Sequence, residues 1–182
     1  NVKIIKIKNF YPGKAINLGV KASRGTIIVC LSAHCIPTNN KWLESLLTDV
    51  RKINVGAVYG RQEPMSYSSA IDKRDLLTVF GLDKKIQKKD PFFHNANSAF
   101  RKNIWSKFKF DEKVTNVEDR IWGRKLIDNN LQIIYEPKAS AYHWHGINQD
   151  LKQDRAEAII KILEKENNFF EYTRSHKQKI KN

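Results

Sequence analysis

The chain has 182 residues and a formal net charge of +14, with 41% hydrophobic, 10% aromatic and 29% charged residues. That length suits one domain with a core large enough to need no disulfide or metal staple. The four Trp, six Tyr and nine Phe exclude a wholly disordered chain, and no apolar run reaches the roughly 18–20 residues of a membrane span.

Val2 to Ile7 alternates β-branched residues with lysine and reads as a strand. Tyr11-Pro12-Gly13-Lys14 breaks it, and a short helix follows from Ala15 to Lys21, closed near Gly25. Thr26 to Leu31 has no polar alternation, the pattern of a strand buried on both faces. Strand, helix and buried strand predict a βαβ unit and hence an α/β fold. Ser32 to Pro37 reads as a loop, then Asn40 caps a helix from Lys41 to Arg51 with Trp42, Leu43, Leu46, Leu47 and Val50 on one face.

Val55 to Gly60 is the next strand, ended by Arg61-Gln62-Glu63-Pro64. Met65 to Asp90 reads as a mobile insertion, helical around Ala70 to Phe80. Pro91 to Arg101 runs from aromatics through a polar turn into a short strand. Thr115 or Asn116 then caps a helix to about Asn129, with Val117, Ile121, Trp122 and Leu126 inward. Leu131 to Tyr135 and Ala139 to His145 read as two strands. From Asn148 the character changes: Ala156, Ile159, Ile160 and Leu163 form an amphipathic helix, followed by a basic end from Arg174. The expected division is therefore 1–147 and 148–182.

Three places could carry chemistry. Ser32-Ala33-His34 follows a strand's carboxyl end, where open α/β sheets bind ligands. His34 there is either a ligand to a metal or phosphate, or an ordinary surface residue. Glu118-Asp119 opens a helix, either complementing its dipole or supplying a general base whose pKa the dipole would depress. His143 and His145, two apart on a strand, share a face and form either a metal pair awaiting a third ligand or chance surface histidines. Cys30 and Cys35 have neither redox nor zinc spacing, read as small hydrophobes and suit a reducing cytosol. The positive charge suits a phosphate-bearing partner or a merely solvated basic surface.

Taken in order, several segments resemble the later part of a family 2 glycosyltransferase with the GT-A fold. They are Pro12 to Gly19, Gly25 to Pro37, Trp42-Leu43, Gly56 to Gln62, Asn95 to Ala99 with Arg101, Phe110-Asp111-Glu112, Val117-Glu118-Asp119 with Trp122, and Tyr135-Glu136-Pro137. The resemblance implies a GT-A-type (Rossmann-like) α/β fold: a mixed, mainly parallel sheet with flanking helices, lacking the first nucleotide-binding strand and helix. It also implies inverting transfer of a sugar from a nucleotide-diphosphate donor to a glycan or lipid-linked acceptor, in bacterial surface polysaccharide synthesis.

By that resemblance Asp119 is the catalytic base with Glu118 beside it. Lys14, Ser32, Arg61, Asn95, Asn97, Ser98 and Trp122 fall on the donor and acceptor side. His34, His143 and His145 are the candidate ligands of a divalent cation, Mn²⁺ or Mg²⁺, because Ser32-Ala33-His34 stands where the family has Asp-x-Asp. The implied setting is cytoplasmic, with peripheral contact at the inner face of the membrane. A missing first βα unit leaves an exposed sheet edge, so a homo-oligomer is expected. The start at Asn1 suits a processed or excised piece. No nucleic-acid-binding motif is present, so no specific nucleic-acid partner is expected; a basic nucleic-acid-binding or anionic-membrane-surface module without catalysis is the rival reading.

Overall fold

Proline fixes φ and lacks the N–H that a first helical turn leaves unpaired, so Pro12 starts a helix rather than ending a strand. In the computed structural model, which describes residues 2–146 and 153–167, helix α1 spans Pro12–Ala22. Asn17, buried on α1, uses its whole amide. Its Oδ1 accepts from Phe110 N at 3.2 Å and Trp105 Nε1 at 2.8 Å, while its Nδ2 donates to Phe110 O and Glu112 Oε1. The family-like Asn17, Phe110 and Glu112 are thus one strut joining distant segments.

The strand expected over Val2 to Ile7 is not formed. Val2 and Ile4 are 96% and 83% exposed, and alternation alone stabilises no strand without a neighbour to pair with.

The remaining elements follow in order: β1 Ile27–Leu31, β2 Cys35–Pro37, α2 Trp42–Thr48, β3 Val55–Pro64, α3 Ala70–Val79, β4 Lys85–Gln87, β5 Asn97–Arg101, α4 Lys102–Lys107, α5 Glu118–Asp128, β6 Gln132–His143 and α6 Gln153–Asn167. One sheet runs β1-β5-β3-β6-β2, with β4 also on β6. It is mixed, as expected, with helices on its faces. The parallel share is smaller than expected: β3–β6 is parallel, while β1–β5, β3–β5, β2–β6 and β4–β6 are antiparallel. Without a strand over Val2 to Ile7, the expected βαβ unit does not arise and β1 pairs with the distant β5 instead.

Alternation along the strands sends consecutive side chains to opposite faces. Tyr59, Phe100, Ile133 and Tyr135 join Trp122, Phe110, Val20, Leu76 and Phe80 in the larger core, served by α1, α3 and α5. Val58, Ala99, Ile134 and Ala139 meet Leu46 and Val50 in the smaller one, associated with α2. Arg101 closes the corner at the end of α2, where its guanidinium donates to the carbonyls of Val50, Lys52, Ile53 and Val55.

Two expectations about the middle of the chain change. The 65–90 stretch is packed: Leu76 and Phe80 are buried, and Tyr135 Oη donates to Gly81 O at 2.6 Å. The strands expected at Leu131 to Tyr135 and Ala139 to His145 are one strand, β6, which carries an irregularity and ends at His143, with His145 in a bend beyond it. Gly60 pairs with Glu136, but Gln62 pairs with Ala141, so four residues of β6 lie opposite Arg61 alone. Such a bulge re-aims the strand that carries it. Asn97 pins it, donating from Nδ2 to Ala139 O at 2.7 Å and Arg61 O at 3.1 Å. Gly60 makes room, because a Cβ there would overlap the Ala139 carbonyl and the Asn97 amide.

The chain divides into two compact units, Asn1–Ile147 and Asn148–Asn182. In the second, α6 has Ile159 and Leu163 half-buried and Ile160 exposed; the basic end from Arg174 lies outside the described residues. No helix among the described residues is long and apolar enough to cross a membrane.

Candidate active site

The bulge in β6 delivers His143 to the end of the sheet, where it pairs in register with Cys35 of β2 and Pro64 of β3. β2 itself begins where a loop was expected, because Cys35 N donates to Ser32 O in a tight turn. That turn holds His34 over β6, and Trp144 N donates to His34 O at 3.2 Å. Beyond Trp144, the chain is tied to α3, where Gly146 N donates to Asp72 Oδ1 at 2.6 Å.

Three sequence-predicted histidines therefore converge. Ring centroids lie 4.8 Å apart for His34–His143, 4.6 Å for His34–His145 and 4.7 Å for His143–His145. A nitrogen of His34, a nitrogen of His143 and the Cys35 sulfur also lie within 4.8 Å of one another. Burial and the neighbouring imidazoles push the His143 pKa down to about 3, and the same causes lower His34. Neutral imidazole, with a free lone pair, is the metal-binding form. Burial pushes the Cys35 thiol up to about 12, in keeping with a small protonated hydrophobe.

His94 is the member that sequence reasoning missed. Its ring centroid stands 6.1 Å from that of His143, and burial lowers its pKa to about 4. A lone histidine between an aromatic run and Asn95 carries no spacing signal; its one clue is adjacency to the Asn95-Ala96-Asn97 segment.

The loop holding His94 also reaches the predicted base. Asn95 N donates to Asp119 Oδ2 at 3.3 Å, and Ala96 O accepts from Ser32 N at 2.9 Å. Asp119 opens α5, half-buried, with its Oδ1 accepting from Arg120 N at 2.8 Å. Burial pushes its pKa up to about 6 against these hydrogen bonds, so the depression expected from the helix dipole is overturned by desolvation. Glu118, at the first position of the same helix, is buried. Asn95 presents buried amide atoms without hydrogen-bond partners. Gln62, on β3 opposite Ala141, does the same and was not singled out from sequence.

The other expected site residues differ in burial and in how far their polar atoms are engaged. Asn97 is fully buried, its amide spent on the bulge and on accepting from Trp42 Nε1 at 2.8 Å. Ser98 is fully buried within β5. Trp122 is fully buried, stacked on Phe110 at 4.5 Å, with Nε1 donating to Phe108 O at 2.5 Å. All three are buried, and the polar side-chain atoms of Asn97 and Trp122 are engaged in hydrogen bonds within the fold. Arg61 is engaged by Phe80 O and Glu63 at 3.3 Å each. Lys14 lies half-buried in the first turn of α1, and Ser32 stands with Oγ 3.2 Å from His34 Nε2.

Comparison with known proteins bears on the family and the fold. The family model for Glycosyl transferase family 2 matches residues 1–108. The O-antigen chain rhamnosyltransferase WbaN of Salmonella anatum is 25% identical over 157 residues, covering 80% of this chain and 50% of that protein. The chain thus spans about half the length of that curated relative. Among solved structures, the mannosyltransferase PcManGT from Pyrobaculum calidifontis, in complex with GDP-Man and Mn²⁺, aligns with a TM-score of 0.56 at 18% identity, over 78% of this chain and 38% of that one. GalNAc-T7 with UDP, GalNAc and Mn²⁺ aligns with a TM-score of 0.58 at 12% identity, over 75% and 31%. At such identities the likeness speaks for the fold, which is the GT-A type expected from the sequence.

Proposed function

Because the chain belongs to glycosyl transferase family 2, a family of transferase enzymes, we propose that Asp119 is the general base of an inverting sugar transfer from a nucleotide-diphosphate donor. The observation that carries this reading is the Asp119 carboxylate at the mouth of α5, raised to about 6 and bonded to the same loop that touches the histidine cluster. A carboxylate with that pKa is ionised at neutral pH yet basic enough to take a proton in a transition state.

The acceptor hydroxyl oxygen attacks the anomeric carbon while its proton passes to Asp119. The bond from that carbon to the diphosphate breaks, and its electron pair leaves with the diphosphate. Attack opposite the leaving group inverts the anomeric centre. In this proposal Asn95, whose amide has no hydrogen-bond partner within the fold, meets a sugar hydroxyl beside the base.

A divalent cation fits the residues present. The Nδ1 of His143 is buried without a hydrogen-bond partner, and His34 and His145 flank it with imidazoles. In this proposal His34, His143 and His145 hold the ion, which when bound neutralises charge gathering on the departing diphosphate. Ser32 and Lys14 remain the candidates on the donor side. The likeness to an O-antigen chain rhamnosyltransferase supports a polysaccharide role, with a glycan or lipid-linked acceptor met at the cytoplasmic face of the membrane.

The test is sugar transfer by the full-length parent protein, wild type against Asp119→Asn. Loss of transfer by about 10²–10⁴-fold with nucleotide binding retained supports the base; unchanged turnover removes Asp119 from the mechanism.

A further inference from the structure

Strands β2 and β6 set Cys35 directly opposite His143 in an antiparallel pair. Side chains so paired leave the same face of the sheet, with Cβ atoms about 4.5–5.5 Å apart. His34 comes from the turn that opens β2, one residue before Cys35. One nitrogen from each imidazole and the Cys35 sulfur therefore lie within 4.8 Å of one another. His143 is 2% exposed, and its Nδ1 has no hydrogen-bond partner. A buried polar atom left in that state is costly unless a further group meets it.

These donors are chemically selective. Two nitrogens and a sulfur are a poor match for Mg²⁺, which demands oxygen ligands. Imidazole and thiolate together favour Zn²⁺ and its borderline relatives. In a tetrahedral site with bonds of about 2.0 Å to nitrogen and 2.3 Å to sulfur, donors stand roughly 3.3–3.6 Å apart, so these three need to close by about 1 Å. His34 is exposed on its turn, and rotation of its side chain supplies that movement.

We infer that Cys35 is a metal ligand: its sulfur, with one imidazole nitrogen from each of His34 and His143, forms a site for a thiophilic ion of the Zn²⁺ class. The inference deepens the reading above, that the histidine cluster holds a cation, by adding a sulfur donor, and it needs no nitrogen of His145. Without an ion the buried thiol keeps its proton. On binding, the S–H bond breaks, the proton passes to solvent, and the electron pair left on sulfur bonds the metal.

The test uses Co²⁺ as a probe and needs no turnover. Titrated into the metal-free, reduced full-length protein, it should give a sulfur-to-cobalt charge-transfer band beside the ligand-field bands. Both should saturate near about one equivalent and vanish when Zn²⁺ is added. Cys35→Ser should lose the charge-transfer band and bind Co²⁺ at least about tenfold more weakly, whereas Cys30→Ser, on β1, should keep the band. His34→Ala, at an exposed position, should weaken binding by a similar factor of about ten or more. Circular dichroism checks that each variant is folded. Should Cys35→Ser not fold, alkylation of wild type read by mass spectrometry decides the same point, since Zn²⁺ should protect Cys35. Ligand-field bands without a charge-transfer band, equal affinity in folded Cys35→Ser, or Cys35 alkylation unaffected by Zn²⁺ overturns the sulfur ligand and leaves the cation reading standing. Absence of Co²⁺ binding overturns both, and unchanged affinity in His34→Ala overturns the three-donor set.

Discussion

Removing the Asn97 side chain separates a ligand contact from a strut. Asn97 is fully buried and makes three hydrogen bonds, two donated across the β6 bulge and one accepted from Trp42. Asn97→Ala forfeits about 1 kcal/mol for each bond and leaves the Trp42 N–H short of a partner at about 1–3 kcal/mol, some 3–5 kcal/mol in all after partial relaxation. Against a total stability of about 5–15 kcal/mol, that is a severe loss. Thermal unfolding followed by circular dichroism should show a Tm lower by roughly 6–20 °C. Trp42→Phe combined with Asn97→Ala should cost less than the sum of the two, because they share one bond. An unchanged Tm alongside lost sugar transfer would refute the reasoning and return Asn97 to the substrate side.

The remaining expectations are equally direct. With Asp119 near pKa 6, kcat/KM should fall about tenfold per pH unit below 6 and level above it; a flat profile across pH 5–7 argues against this base. Its folded pKa lies above the unfolded 3.8, so the folded chain holds this proton more tightly. Asp119 therefore favours folding at acid pH, and that support is withdrawn as pH climbs from 3.8 to about 6, which Tm against pH in wild type and Asp119→Asn would reveal. Gly60→Ala should destabilise by more than about 3 kcal/mol through backbone overlap, whereas Gly19→Ala, in open space on α1, should stabilise by about 0.5–1 kcal/mol; urea midpoints decide both. Among the described residues β1 is paired along one edge only, and we propose that a second copy covers the other. Sedimentation at tens of micromolar should show self-association that Leu31→Lys weakens, and a wild-type monomer would count against it.

Where local chemistry and burial agree, the sequence could be read. α5 has acids in its first turn and Ile121, Trp122 and Leu126 on its inner face, and it formed close to the expected bounds. His143 and His145 come close, yet not by the strand alternation expected of them, because β6 ends at His143 and His145 lies in the bend beyond it. Long-range pairing was not readable. Val2 to Ile7 has a strand's pattern but no neighbour, and the gap expected between Tyr135 and Ala139 is a bulge that Asn97 and Gly60 hold together. The 65–90 stretch is polar, yet Leu76 and Phe80 reach the core. Resemblance singled out Asn97, Ser98 and Trp122 without revealing that all three are buried. Asp119's pKa turned on desolvation, which no first-turn pattern reports.

His94, Asn95 and Ala96 each grip a different party: the ring of His143, the carboxylate of Asp119 and the backbone of Ser32. Consecutive α-carbons are about 3.8 Å apart whatever the surrounding packing does. The tripeptide is thus a covalent ruler between Asp119, the proposed proton acceptor, and the imidazole cluster. Drift in the cores would carry both ends along together, leaving the span between Asp119 and His143 nearly constant. A protein so built can change the residues around this strap without altering the distance between the two groups it joins.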